Sequence, residues 1–150
     1  MDNKIHKLKK RTFADTICTI IIAIATLFIS VIELMSYQYT KGHFSECITN
    51  GVNGIIVSVI MGLVAAIFVE LRIKGKPFSK SIIWLLRIIA VILIFGAYVP
   101  DIIASIITNS EITILSTEHL LVVILGVTIG MLSEIFVYGY QLQEDMDSIA

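Results

Sequence analysis

Arg87 sits inside the run SIIWLLRIIAV, and Glu134 sits inside a later run, VTIGMLSEIFVYGY. Two opposite ions in such apolar company have one clear chemistry, which is to neutralise each other. Each lies about six residues from the basic end of its run, or about 9 Å at the rise of a helix. An ion near the centre of a membrane-spanning helix costs roughly 2.5–3.5 kcal/mol on insertion scales, and pairing offsets part of that. The spacing therefore predicts that Arg87 and Glu134 meet inside the molecule as a structural clamp. Glu70, closer to the basic edge of another apolar run, is the competing or third partner. The alternative is that Arg87 snorkels outward to lipid phosphates.

Other chemistries have weaker support. Glu33, His43, Glu46, Asp101, Glu111, Glu118 and His119 collect between or at the opposite ends of the apolar runs. Zinc takes three or four such ligands in a tetrahedron, yet no H-x-x-x-H or H-E-x-x-H spacing occurs, and the adjacent Glu118 and His119 point different ways on a helix. Glu33, Asp101, Glu118 and His119 are expected to form a solvated acidic rim, with histidine as its titrating group if it senses pH. There is no G-x-S-x-G, P-loop or C-x-x-C motif, and serine and histidine lack a third member for a triad. No enzyme activity, cofactor or metal is expected. Cys18, in an apolar run, reads as a small buried hydrophobe and Cys47 as a loop residue, with no disulfide between them.

The elements that must position these groups follow from composition. The 150 residues are 57% hydrophobic and 15% charged, with a mean hydropathy of +0.92; soluble domains carry about 25% charged residues. Stretches 13–37, 48–73, 81–99 and 117–140 each approach or exceed the roughly 20 apolar residues that cross a hydrocarbon layer. Backbone groups in lipid must pair within their own segment, so these are helices. Thr12 is the expected cap of the first, Gly75, Pro77 and Ser79 separate the second from the third, and Ser116 with Glu118 opens the fourth. Pro100 should end or kink the third, and the residues after it remain helical. The apolar run after the basic start is too long for a signal-peptide core and lacks a small-x-small cleavage site, so it reads as a retained first span.

Lys4, Lys7, Lys9, Lys10 and Arg11 precede the first span, and Arg72, Lys74, Lys76 and Lys80 join the second to the third. The other side has only Lys41. By the positive-inside rule both termini face the cytoplasm. The expected fold is all-α: an integral membrane four-helix bundle in one domain, with a short cytoplasmic tail, 141–150. Three polar stripes are expected to turn inward: Asp15, Thr19, Ile22, Thr26, Ile29 and Glu33; Lys80, Trp84, Arg87, Val91, Ile94, Tyr98 and Asp101; and Ser116, Val123, Val127, Gly130, Glu134 and Tyr138. Gly54, Ser58, Gly62 and Ala66 form one ridge of small residues, and Gly126 with Gly130 another. Such ridges let helices approach within one chain, the default, or between copies in a homo-oligomer.

Two motifs at the basic end, GKPFS (75–79) followed by Leu86–Arg87, and YGYQLQEDMD (138–147), resemble the signatures of a bacterial membrane family known as domain of unknown function 2975. Length and layout fit as well. The resemblance implies a protein of the bacterial cytoplasmic membrane, encoded beside a small helix-turn-helix regulator that it holds or releases; it implies no catalytic residues and no direct contact with nucleic acid. The residues available for docking are Arg72, Lys74, Lys76, Pro77, Phe78 and Lys80 of the basic loop and Leu142, Gln143, Glu144 and Asp147 of the tail, where Leu142, Met146 and Ile149 recur at helical spacing. The bland alternative is that loop and tail pair with each other. Two other functions are open to the same residues. One is a small transporter or channel subunit with a wet path along Thr19, Thr26, Glu33, Tyr98 and Asp101. The other is an immunity protein against a membrane-active peptide, acting through Glu111 and Glu118.

Overall fold

The end of each helix can be traced to a few residues. The structure is a computed structural model that describes the backbone of residues 2–36, 43–109 and 116–149, and the side chains of 10–36, 43–109 and 116–148. The side chains of Lys4, Lys7, Lys9 and Ile149, together with residues Tyr37, Lys41, Glu111 and Ala150, lie outside that description. α1 runs over Asp2–Ser36, α2 over Phe44–Lys74, α3 over Lys80–Gly96, α4 over Val99–Thr108 and α5 over Thr117–Ile149. Lys10–Ser36, Phe44–Lys74, Lys80–Thr108 and Thr117–Ser148 are long and apolar enough to cross a membrane. Among the described residues there is no strand.

Gly75 ends α2 in the left-handed region, φ 65°, and its N–H bonds the carbonyl of Leu71, a backbone position that costs a residue with a Cβ. Ser79 caps α3 by accepting from the N–H of Ile82. Pro100 sits in the first turn of α4, where a missing N–H costs nothing, and residues 97–98 turn between α3 and α4. Thr12 does not start α1, because no glycine or proline interrupts the Lys- and Leu-containing stretch before it. α5 passes beyond residue 140 without a break, so the tail is an extension of the last long helix.

The four long helices do not close into a bundle. α1 packs on α2, α2 on α3 and α4, and α3 on α5 and α4; no other pair of helices comes into close backbone contact among the described residues. The long helices stand in an open row, α1–α2–α3–α5. The pairing is specific because small residues meet. A Cβ on Gly54 would collide with Ser30, and Ser58 donates to the carbonyl of Ala23 at 2.8 Å. A Cβ on Gly126 would lie 2.8 Å from Ile94 and 3.1 Å from the carbonyl oxygen of Ala90. The small-residue ridges are thus largely used within the chain. Gly62 is the exception in its ridge, with nothing within 4 Å of its Cβ position, and Gly130 meets only the Ala90 methyl at 3.7 Å.

Two of the expected stripes face outward over their basic halves, while Ile94, Tyr98, Asp101, Ser116, Val123 and Gly130 are half-buried. In α3 the buried side is Ile82, Ile83, Ile89, Ala90 and Gly96, while Trp84, Arg87 and Val91 are exposed. In α5, Gly126 and Ser133 are buried, and Val127, Glu134 and Tyr138 are exposed. Branched aliphatics with glycine and alanine pack more closely than tryptophan and arginine do, and they take the protein side. In α1 the packed side centres on Thr16, Ala23 and Ser30, with Thr19 and Thr26 at its margin. The Thr19 and Thr26 hydroxyls bond carbonyls of their own helix, which satisfies them without a partner helix.

Candidate functional site

The structure brings Arg87 and Glu134 together: Arg87 Nη2 donates to Glu134 Oε1 at 2.7 Å. Their position differs from the expected one. The side chains are 52% and 61% exposed, so the pair lies on the outside of the α3–α5 seam, only partly covered by protein. Glu70 is not a third partner. It pairs with Lys74, one turn along its own helix, and Lys74 also reaches Ser81 at the start of α3 at 2.8 Å. A lysine at i+4 is closer to Glu70 than an arginine on the far flank of α3, and it takes the carboxylate.

At the basic end, loop and tail form one surface. Lys76 Nζ donates to Asp147 Oδ2 at 2.7 Å. Phe78 inserts between the two segments: its ring meets Phe136 edge-on at 5.3 Å and lies against Gly139, where a Cβ would come within 2.6 Å of it. Lys80 stands 5.3 Å above the Tyr140 ring, and Arg72 stands 4.7 Å above the Phe13 ring of α1. Pro77, Leu142 and Glu144 are exposed and Gln143 is half-exposed. Asp147 beside it holds the Lys76 ammonium above its ordinary value. With Asp147 ionised, the raised lysine favours the docked tail below its ordinary range, and this contribution, small for so exposed a pair, fades as pH climbs through the raised value.

Phe78→Ala removes the aromatic contact while leaving the salt bridge. It is expected to cost about 1–2 kcal/mol of stability and to make the bonds after residue 141 more sensitive to protease. Equilibrium unfolding in mixed micelles and timed proteolysis measure the two effects.

At the opposite end the expected solvated rim divides. Glu118 is exposed and Glu33 half-exposed, but His119 and Asp101 turn inward, with side chains only 14% and 27% exposed. His119 Nε2 lies 2.9 Å from Asp101 Oδ2, and His119 Nδ1 lies 2.8 Å from Ser116 Oγ. An ionised carboxylate only accepts, so Nε2 donates to Asp101, and Nδ1 shares a hydrogen bond with the Ser116 hydroxyl. Ser116 also accepts the N–H of His119 at 3.2 Å, capping α5. The Tyr98 ring lies 5.2 Å from the imidazole, and Thr49 Oγ1 lies 3.5 Å from Asp101 Oδ1. Serine and histidine thus do have an acidic third member. Sequence spacing hid it because Asp101 lies on α4, beyond the Pro100 break. His43 and Glu46 pair at 2.9 Å on the exposed first turn of α2.

Asp101, Ser116, Glu118 and His119 border a cavity of about 300 Å³ between α2, α3, α4 and α5. Thr19, Thr26 and Glu33 belong to a helix that packs on α2 alone among the described residues. Cys18 is exposed, not buried, and Cys47 is buried in the first turn of α2; both are free. Among the described residues no three His, Cys, Asp or Glu side chains converge as a metal site. No family model, curated protein or solved structure matches the chain.

Proposed function

We propose that this is a multi-pass protein of the bacterial cytoplasmic membrane, with both termini inside, that acts as a non-enzymatic regulator. It holds a small helix-turn-helix protein on the surface where the α2–α3 loop meets the extension of α5. The observation that carries the reading is the length and face of α5. Its 33 residues span about 50 Å at 1.5 Å per residue, against about 30 Å of hydrocarbon. Its last turns therefore emerge from lipid, yet Leu142 and Met146 remain exposed along one stripe at 65% and 66%. An apolar stripe beyond the reach of acyl chains suits a partner helix. The concentration of Arg11, Arg72, Lys74, Lys76 and Lys80 at the same end supports its placement in the cytoplasm.

Leu142→Asp with Met146→Asp is expected to release a co-expressed neighbouring helix-turn-helix protein from the membrane fraction to the soluble fraction, a drop of at least about tenfold in recruitment. Lys76 and Asp147 are untouched, so the tail stays docked. Full recruitment by the double variant would contradict the reading.

A further inference from the structure

The cavity at the acidic end has features that the proposed regulator role does not use. Its walls are largely aliphatic, with Ile56, Ile60, Ile92 and Val122 among them, and its polar groups gather on one side: Thr49, Asn53, Asp101, Ser116 and His119, with Glu118 also on its lining. An apolar pocket with a few convergent polar groups is the usual form of a small-molecule site, and about 300 Å³ is at the compact end of such sites. We infer that this cavity binds a compact organic ammonium ion, its apolar body among the isoleucines and its N–H groups on Asp101.

The charges of the lining favour a cation. Among the described residues no lysine or arginine contributes to it, whereas two carboxylates do. Asp101 lies in the first turn of α4 and Glu118 in the first turn of α5. The positive end of each helix therefore already has its own carboxylate, and the helices do not reserve the cavity for an anion. Asp101 Oδ2 is taken by His119, but among the described residues Oδ1 has only Thr49 at 3.5 Å, a weak hold that leaves acceptor capacity for a stronger donor. His119 and Glu118 are the other titratable groups on the lining. Bonded to Asp101 and Ser116, His119 orients the carboxylate and is not itself a ligand for the cation. The site is independent of the α2–α3 loop and the α5 extension, so it stands or falls apart from the docking of a regulator.

Equilibrium binding to the full-length protein in zwitterionic nanodiscs tests this, with 2-phenylethylammonium and a series of compact alkylammonium ions as probes and 3-phenylpropionate as the anion of similar shape. At least one ammonium ion is expected to bind saturably, and the carboxylate is not. Asp101→Asn should weaken binding at least about tenfold, the scale of a charge-assisted hydrogen bond. Val122→Phe, which fills the cavity and keeps the Asp101–His119 pair, should abolish it. Ile24→Ala, on the outer flank of α1, should bind as the unaltered protein does. Thermal unfolding of each sample confirms that it is folded, and Val122→Phe decides the matter if Asp101→Asn does not fold. Failure of every ammonium ion to bind, equal binding of 3-phenylpropionate, or unchanged affinity in Val122→Phe would overturn the assignment.

Discussion

Gly126→Leu is expected to separate α3 from α5. The side chain would start 2.8 Å from Ile94, 3.0 Å from Leu93 and 3.1 Å from the carbonyl oxygen of Ala90. The first two atoms belong to side chains that can shift, but the third is backbone in the middle of α3 and cannot move without the helix. Overpacking of this kind costs about 1–3 kcal/mol in a closed core. Here the cost is at least as large, because α5 has no close backbone contact with any described helix but α3, so the seam has no second neighbour to support it. Unfolding in mixed micelles measures the loss. Gly62→Leu is the control, since its Cβ position has nothing within 4 Å. It should be neutral or slightly stabilising, as glycine in a helix interior costs about 1 kcal/mol relative to better helix formers.

Reversing one member of the Arg87–Glu134 pair should destabilise the protein, and reversing both should restore much of the loss. Arg87→Glu alone puts two carboxylates at one point of the α3–α5 seam, and Glu134→Arg alone puts two guanidinium groups there. In a bilayer the exposed side of that seam faces acyl chains, which cannot solvate the surplus charge. The insertion cost of an unpaired ion, roughly 2.5–3.5 kcal/mol, sets the scale of each single loss. The exchanged pair keeps one ion of each sign at the same depth, so a double-mutant cycle should give a coupling of at least about 1 kcal/mol. Simple additivity of the two single losses would mean that the ions reach water or phosphate separately. Reduction of both effects in detergent, where water reaches the micelle surface, would fit a pair at the exterior of the fold.

Much of the helical plan was legible because it depends on local chemistry. Gly75, Pro77 and Ser79 carry their meaning within five residues, and the turn they form agrees with it. Pro100 marks the break between α3 and α4 for the same reason. That Arg87 and Glu134 stand at one level of the α3–α5 seam was legible from counting residues. The side of the helix was not. Periodicity locates the polar stripe of α3, but it cannot tell whether that stripe faces protein or lipid when both surroundings are apolar. Packing decides instead, and Ile82, Ile89 and Ala90 fit α5 and α2 where Trp84 and Arg87 would not. The closed bundle failed similarly, because hydropathy counts spans without showing which spans touch. The inward turn of His119 depended on the direction α4 takes after residues 97–98, which no local motif specifies. The Phe78–Gly139 contact had a weak signal, in that both residues lie in the two motifs at the basic end.

Docking at the basic end depends above all on the α2–α3 loop and the α5 extension forming one surface. Lys76→Cys and Asp147→Cys, introduced together into a Cys18→Ser, Cys47→Ser background, test it in native membranes with a short bis-maleimide. A docked tail predicts rapid cross-linking of the pair within one chain, and much slower cross-linking once Phe78 is also changed to alanine. Two cysteines that each take a maleimide label readily but are never bridged would contradict a shared surface.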